Sequence, residues 1–293
     1  MKISSGLKET SPYVVFIMPA LVIILFTQLI PVLYSIQLSF QDWSLAISPK
    51  PLGFVGLKNY IKAFNDEIFL QTLRMSTIFC LSATSLQIVL GFIIAYFTVG
   101  EGWFFRLTRT ILILPMVIAP VANGVIWRMI LNTRYGLLNS ILNLLGIQSQ
   151  NWLGDPTLAL IAVILVDVWQ WTPFAMVVFM AGFSVIPQEL YDAAEVDGAG
   201  KLQILQRIIL PSQVPMFLIV LLFRLVETFL AIDSIYTTTF GGPGYATTSV
   251  TLFTYWQSLR YFNLSYAAAT SWIISIVTLI VAFSILRLQQ QKQ

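Results

Sequence analysis

Three ionisable side chains sit deep inside apolar runs of this sequence. Asp167 lies about ten residues into the run Leu158–Phe183, which places it roughly 15 Å along a helix. Arg224 and Glu227, spaced i, i+3, lie in the run Ile208–Ile232 with Thr228 beside them. A charge at a bilayer centre costs about 2.5–3.5 kcal/mol on insertion scales, so such residues face a bundle interior or a watery cavity. Two chemistries fit them. One is a structural Arg–carboxylate pair that fixes helix register. The other is a polar site, because guanidinium and carboxylate groups make strong, directional hydrogen bonds to hydroxyls. The residues alone leave both open.

A second set of charges lies between apolar runs, in YDAAEVDGAGKLQILQRIILP from Tyr191 to Pro211. Ile186-Pro187 opens this polar segment, and proline suits the first turn of a helix. Glu189, Asp192 and Glu195 then share one helical face near the positive end of the helix dipole. Ala193 and Ala194 have small side chains that let another surface approach, and Asp197-Gly198 is a turn signal. Gly200-Lys201 superficially suggests a phosphate-binding loop. The motif fails, because Glu195 stands where its first glycine belongs and Leu202 where Ser or Thr must hold magnesium. With no histidine and one cysteine, Cys80, the chain also lacks histidine-ligated metal sites, histidine acid–base chemistry and any intrachain disulfide.

The elements that must hold these residues are membrane helices. The chain is 57% hydrophobic and 10% charged, with a mean hydropathy of +0.82, and its apolar residues come in long runs. Six runs are long enough to cross about 30 Å of hydrocarbon: Tyr13–Leu38, Leu73–Val99, Ile111–Leu131, Leu158–Phe183, Ile208–Ile232 and Tyr266–Leu286. Their pattern does not alternate, so they are helices rather than barrel strands. Pro19, Pro31, Pro115, Pro120 and Pro173 interrupt them and predict kinks. The first run is too long for a signal-peptide core and reads as a retained helix. A net charge of +3 without a basic, aromatic-interleaved cluster gives no footprint for nucleic acid.

Basic residues set the expected orientation. Lys2, Lys8, Arg106, Arg109, Lys201, Arg207, Arg287 and Lys292 are denser on one side than are the basic residues of the longer loops opposite, which predicts both termini in the cytoplasm. In the first outer loop, Leu57, Tyr60, Ile61 and Phe64 are expected to share one face of a short helix lying on the membrane surface. The outer segment Thr237–Ser249, with FGGPG at its centre, reads as loop.

The polar segment also has a fixed pattern: Asp-Ala-Ala, three residues, Gly198, nine residues, Ile208, one residue, then Leu210-Pro211. This resembles the EAA loop of ABC importer permeases, with Asp192 in place of the usual Glu. DVWQWTPF (Asp167 to Phe174) and the segment around Gly241-Gly242-Pro243-Gly244 resemble the carbohydrate-uptake branch, relatives of the maltose-transporter permeases. The resemblance runs from the second span to the sixth. It implies an all-α fold of six transmembrane helices, of the type I ABC importer permease class, in a bacterial or archaeal cytoplasmic membrane. Its parts would be a cytoplasmic N-terminus (1–12), a first helix (13–38), a core permease domain (70–286) with a coupling loop (186–211), and a cytoplasmic tail (287–293). Glu189, Asp192, Ala193, Ala194, Gly198, Ile208, Leu210 and Pro211 would dock an ATPase. Asp167, Gln170, Trp171, Phe174, Arg224, Glu227 and Thr228, with Asn123 and Met116 from the third span, would line the solute path. Trp171 and Phe174 would cover a sugar ring, while Gln170 and Asn123 would bond hydroxyls. Arg224 leaves an anionic solute open.

The partners implied are a second homologous permease, two ATPase subunits carrying ATP and magnesium, and an extracytoplasmic solute-binding protein. This chain itself would bind no cofactor and would be no enzyme. The rival reading is an ion-coupled secondary transporter with Asp167 and Glu227 as coupling carboxylates. It lacks the matched repeats and broken helices that such folds show.

Overall fold

The computed structural model describes residues 11–290. Most of the expected 1–12 segment, including Lys2 and Lys8, and the tail from residue 291, including Lys292, lie outside the described residues. The chain forms two compact units, one made of the residues up to Asn65 with Thr254–Ile273, the other of Asp66–Phe253 with the residues from Ile274 on.

In the first unit, Ser11–Ile24, Leu25–Leu29 and Ile30–Ser39 follow one another as helix α1. Pro31 cannot donate to the carbonyl four residues earlier, and the chain widens there into a π-helical turn at Leu25–Leu29. From Phe16 to Tyr34 almost every apolar side chain is exposed, as a lipid-facing helix requires. Two-residue strands β1 (Gln41–Asp42) and β2 (Gly53–Phe54) pair antiparallel just beyond it. Helix α2 (Lys58–Asn65) is the expected short surface element. Leu57, Ile61 and Phe64 are exposed on it, but Tyr60 does not join them. Its hydroxyl lies 2.7 Å from Ser39 Oγ, and Asn59 Nδ2 donates to the carbonyls of Ser39 and Gln41 at 2.9 and 2.8 Å. The first carbonyl is the last of α1 and the second belongs to β1, so Asn59 ties α2 to both.

The second unit is built on three helices: α3 (Glu67–Thr98), α7 (Pro156–Ser184) and α10 (Val214–Phe229). Asp66 caps α3 by accepting from the amides of Ile68 and Phe69 at 2.9 and 3.2 Å. Asp155 does the same for α7 with Thr157 and Leu158, and Pro156 follows at the first helical position. Phe92 of α3, Phe179 and Phe183 of α7 and Phe217 of α10 pack ring against ring, with centroids 4.7–5.6 Å apart. Ala95, Ala175, Met176 and Val220 complete that core.

Between α3 and α7 run α4 (Trp103–Val117), α5 (Pro120–Ile130) and α6 (Leu137–Leu144). After α7 come α8 (Gln188–Val196) and α9 (Lys201–Ser212) with its π-helical turn at Leu205–Ile209. Beyond α10 lie α11 (Asp233–Thr239), α12 (Val250–Tyr255) and α13 (Leu264–Gln290).

Among the described residues four helices are long and apolar enough to cross a membrane, and two bent pairs bring the number to six. The expected third span is one such pair. Pro115 lies in α4, Pro120 begins α5, and Ala119 is forced into extended backbone before that proline, so the axis turns by 97°. The expected fifth span is the other: α9 and α10 meet at 58° at Gln213, between Pro211 and Pro215. Pro173, by contrast, lies inside a continuous α7. The expected loop after the fifth span is partly helical, since α11 runs to Thr239 before Phe240 turns left-handed at φ 53°.

Close approach of α3 and α7 rests on Gly91. A Cβ there would run into Ala175 Cβ and lie 3.0 Å from the Met176 amide nitrogen. Gly91→Val therefore pushes the two helices apart. We expect roughly 1–3 kcal/mol lost in denaturant unfolding of the detergent-solubilised protein, the usual range for overpacking, with Gly91→Ala costing less.

Candidate functional site

Helices α3, α7 and α10 bring the intramembrane charges together into one knot. Arg224 of α10 is 1% exposed. Its Nε donates to Gln87 Oε1 of α3 at 2.8 Å. Its Nη2 donates to Asp167 Oδ2 of α7 at 3.0 Å and to Thr228 Oγ1 at 2.8 Å, and its Nη1 donates to Glu227 Oε2 at 2.8 Å. Four of the guanidinium's five donors are thus in use. Gln87 closes the ring by donating from Nε2 to Asp167 Oδ2 at 2.7 Å and to the Asp167 carbonyl at 3.1 Å. The guanidinium lies 4.9 Å from the ring centroid of Trp171, which covers it as an aromatic face covers a cation.

The members differ in exposure. Asp167, Gln87 and Thr228 are buried with Arg224, whereas the Glu227 side chain is 53% exposed. Phe223, one turn before Glu227, is exposed too, and it meets Phe174 of α7 edge to face at 6.2 Å. Trp171 and Phe174 are half-buried along the same side. Gln87 is not among the expected site residues; an amide in the run ATSLQIVLG is a weaker form of the signal that a charge gives.

Gln170 and Asn123 bond to each other, apart from the knot, and the buried Asn123 Oδ1 has no hydrogen-bond partner. Gln170 Nε2 donates to the Ile118 carbonyl at 2.8 Å, and its Oε1 accepts from Asn123 Nδ2 at 2.7 Å. Ile118 stands in the break between α4 and α5, so Gln170 takes up a carbonyl that no helical amide can reach. Both side chains are buried. Met116, one turn before the break, is half-buried and contributes apolar surface.

The polar segment forms α8, a reversal, and α9. Glu189, Asp192, Ala193 and Glu195 are exposed, and Ala194 is half-buried. Val196 is 88% exposed and Leu190 is exposed as well, so apolar side chains stand among the carboxylates. Tyr191 turns inward against the aromatic core; burial, with Tyr96 beside it, pushes its phenol pKa up. Gly198 reverses the chain at φ 72°, left-handed backbone that an L side chain resists. Ile208 and Leu210 are half-buried and Pro211 is exposed; Ile209 between them is the one in the core. Among the described residues no three of Cys, Asp and Glu lie close enough to hold a metal ion.

The knot makes Gln87 a structural tie. Gln87→Leu removes partners of two buried charges while keeping the volume. We expect about 1.5–3 kcal/mol of destabilisation in denaturant unfolding, the range for hydrogen bonds to charged groups. Thr228→Val, which removes one neutral acceptor, is expected to cost less.

Comparison with known proteins accords with this architecture. Residues 87–292 match the family described as binding-protein-dependent transport system inner membrane component. The chain is 34% identical to the probable ABC transporter permease protein y4oQ of Sinorhizobium fredii, over 93% of this chain and 88% of that one. It is 33% identical to the trehalose/maltose transport system permease protein MalF of Thermococcus litoralis, over 93% and 91%. In three dimensions it matches a chain of a bacterial ABC transporter that imports the acidic polysaccharide alginate, with a TM-score of 0.85 over 99% of each chain. At 20% identity that likeness speaks for the fold alone. The chain belongs to the family of inner-membrane components of binding-protein-dependent transport systems: it is a permease subunit of an ABC importer, with ATP hydrolysed by other subunits.

Proposed function

We propose that this permease carries a sugar or related polyhydroxy solute and forms half of its path across the membrane. The observation that carries the reading is the half-exposed Glu227 carboxylate, held by buried Arg224, whose guanidinium Trp171 covers, with Phe223 one turn earlier on α10 packed against Phe174. A carboxylate accepts hydrogen bonds from hydroxyls, and aromatic faces cover the C–H face of a sugar ring. The trehalose/maltose system of a relative one-third identical supports the same class. In this reading Asp167, Gln87 and Thr228 position Arg224, and Gln170 and Asn123 hold the bent third span open rather than bonding solute.

The second half of the path belongs to a homologous permease. Two ATPase subunits holding ATP and magnesium sit below, and an extracytoplasmic binding protein delivers the solute. Both termini are cytoplasmic, which puts α8 on the ATPase side. Its carboxylates, with exposed Leu190 and Val196, form the docking face. Gly198 sets the angle between α8 and α9, while Ile208, Leu210 and Pro211 lead the chain back into the membrane.

Two measurements test this. Charge reversal at the docking face, Asp192→Lys, is expected to cut co-purification of the ATPase subunits and uptake at least about tenfold, an electrostatic loss of roughly 1.4 kcal/mol, while leaving membrane insertion intact. Normal transport in that variant sinks the docking role. Uptake of a panel of radiolabelled neutral sugars and polyols by vesicles bearing the whole transporter is expected to require ATP and to survive an uncoupler. The opposite result favours an ion-coupled carrier instead.

A further inference from the structure

Arg224 was the reason to keep an anionic solute in view, and its geometry removes that reason. The side chain is 1% exposed, four of its five donors are bound by Gln87, Asp167, Glu227 and Thr228, and Trp171 covers its face. A solute anion would have to displace a carboxylate already in place. What the knot presents outward is Glu227, whose side chain is 53% exposed. One guanidinium between two carboxylates leaves the knot with one formal negative charge, and the exposed end of the cluster carries it.

That end belongs to a definite stripe. Phe223, Glu227 and Leu230 are exposed at i, i+4 and i+7, along one side of α10 and its cap. Glu227 lies two residues before the last residue of α10, Phe229, still inside the apolar run, and a carboxylate there is not left against lipid; it faces a cavity or a polar neighbour. The neighbouring Phe223, packed on the half-buried Phe174, fits an aromatic-walled path beside Glu227.

We infer that Glu227 sets a negative potential on the solute path and makes this subunit select against anionic cargo, so the solute is a neutral or cationic polyhydroxy compound rather than a sugar phosphate or a uronate. This rests on the proposal that the α10 stripe lines the path. Arg224 is a positioning residue, and Glu227 determines specificity.

The test needs no knowledge of the solute. Cys80 is the only cysteine and is buried, so Cys80→Ala gives a clean parent chain. Phe223→Cys in that parent, in the complete reconstituted transporter, is treated with a cationic trimethylammonium methanethiosulfonate and with an anionic sulfonate counterpart. Labelling of this chain is followed by intact mass. We expect the cation-to-anion rate ratio to exceed that for a free thiol in solution by about tenfold or more, and Glu227→Gln to return it to the free-thiol value. Leu230→Cys gives the same readout if Phe223→Cys does not assemble. No labelling by either reagent, with or without ATP, overturns the inference, as does labelling without charge bias or a bias that Glu227→Gln leaves unchanged. Neutral-sugar uptake by the same vesicles separates the two proposals. Unbiased labelling with intact uptake defeats only the charge selection, whereas biased labelling in vesicles whose Cys80→Ala parent moves no neutral sugar defeats the neutral-sugar reading.

Discussion

Inside a hydrocarbon layer a polar group has no water to fall back on, and one guanidinium in this protein sets the terms for three helices. Desolvating an ion costs several kcal/mol, and that cost is offset only by well-placed partners. Arg224 therefore has to meet Gln87 from α3, Asp167 from α7, and Glu227 and Thr228 from its own helix. Each bond fixes a rotation about a helix axis. Turn α3 by one residue, about 100° of rotation, and Gln87 leaves the cluster. The register of α3, α7 and α10 follows from a single buried charge together with the aromatic core further along the same helices.

The same constraint governs the breaks. A proline removes an amide and frees a carbonyl, which water would take up in a soluble protein. Here the break before Pro120 leaves the Ile118 carbonyl outside both helices; Gln170 meets it, and Gln170 is in turn held by Asn123. A 97° bend in a span is tolerable because two buried amides from α5 and α7 have been committed to it. The bend at Gln213 uses close packing instead: Gly182 leaves room for the Gln213 side chain, where a Cβ would collide with its amide.

How much of this could be read in advance depends on what each residue reports. Apolar runs mark spans because burial in lipid is a property of the run itself, and Asp167, Arg224 and Glu227 stood out because each is costly alone. Their meeting in one cluster was not legible, since it depends on the rotation of three helices relative to one another. Gln87 escaped because an uncharged amide reads as weakly polar, yet it makes three of the knot's bonds. Gln170 and Asn123 were visible as polar groups, but the partner of Gln170 is a backbone carbonyl, which no sequence displays, and that of Asn123 is Gln170 on another helix. The fifth span read as straight because Pro211 and Pro215 fall at its polar entry, where a proline also suits a first helical turn. The roles proposed for α8 rest on a pattern of types and spacing that includes its exposed carboxylates and the left-handed Gly198.

Two ties therefore bind α3, α7 and α10, and they lie apart along the helices. The polar knot sits at Gln87, Asp167 and Arg224, and the aromatic core at Phe92, Phe179 and Phe217. At 1.5 Å per residue the separation is roughly 7 Å on α3, 10 Å on α10 and 18 Å on α7. Two points of attachment resist both sliding and rotation, so the three helices behave as one block. Tyr191 of α8 and Ile209 of α9 pack into the aromatic tie. A displacement applied at α8 thus meets a stiff body, whose far tie carries Glu227 at its exposed edge. A loosely packed bundle would dissipate such a push in side-chain rearrangement. Here the cost of an unpaired Arg224 holds the three helices together.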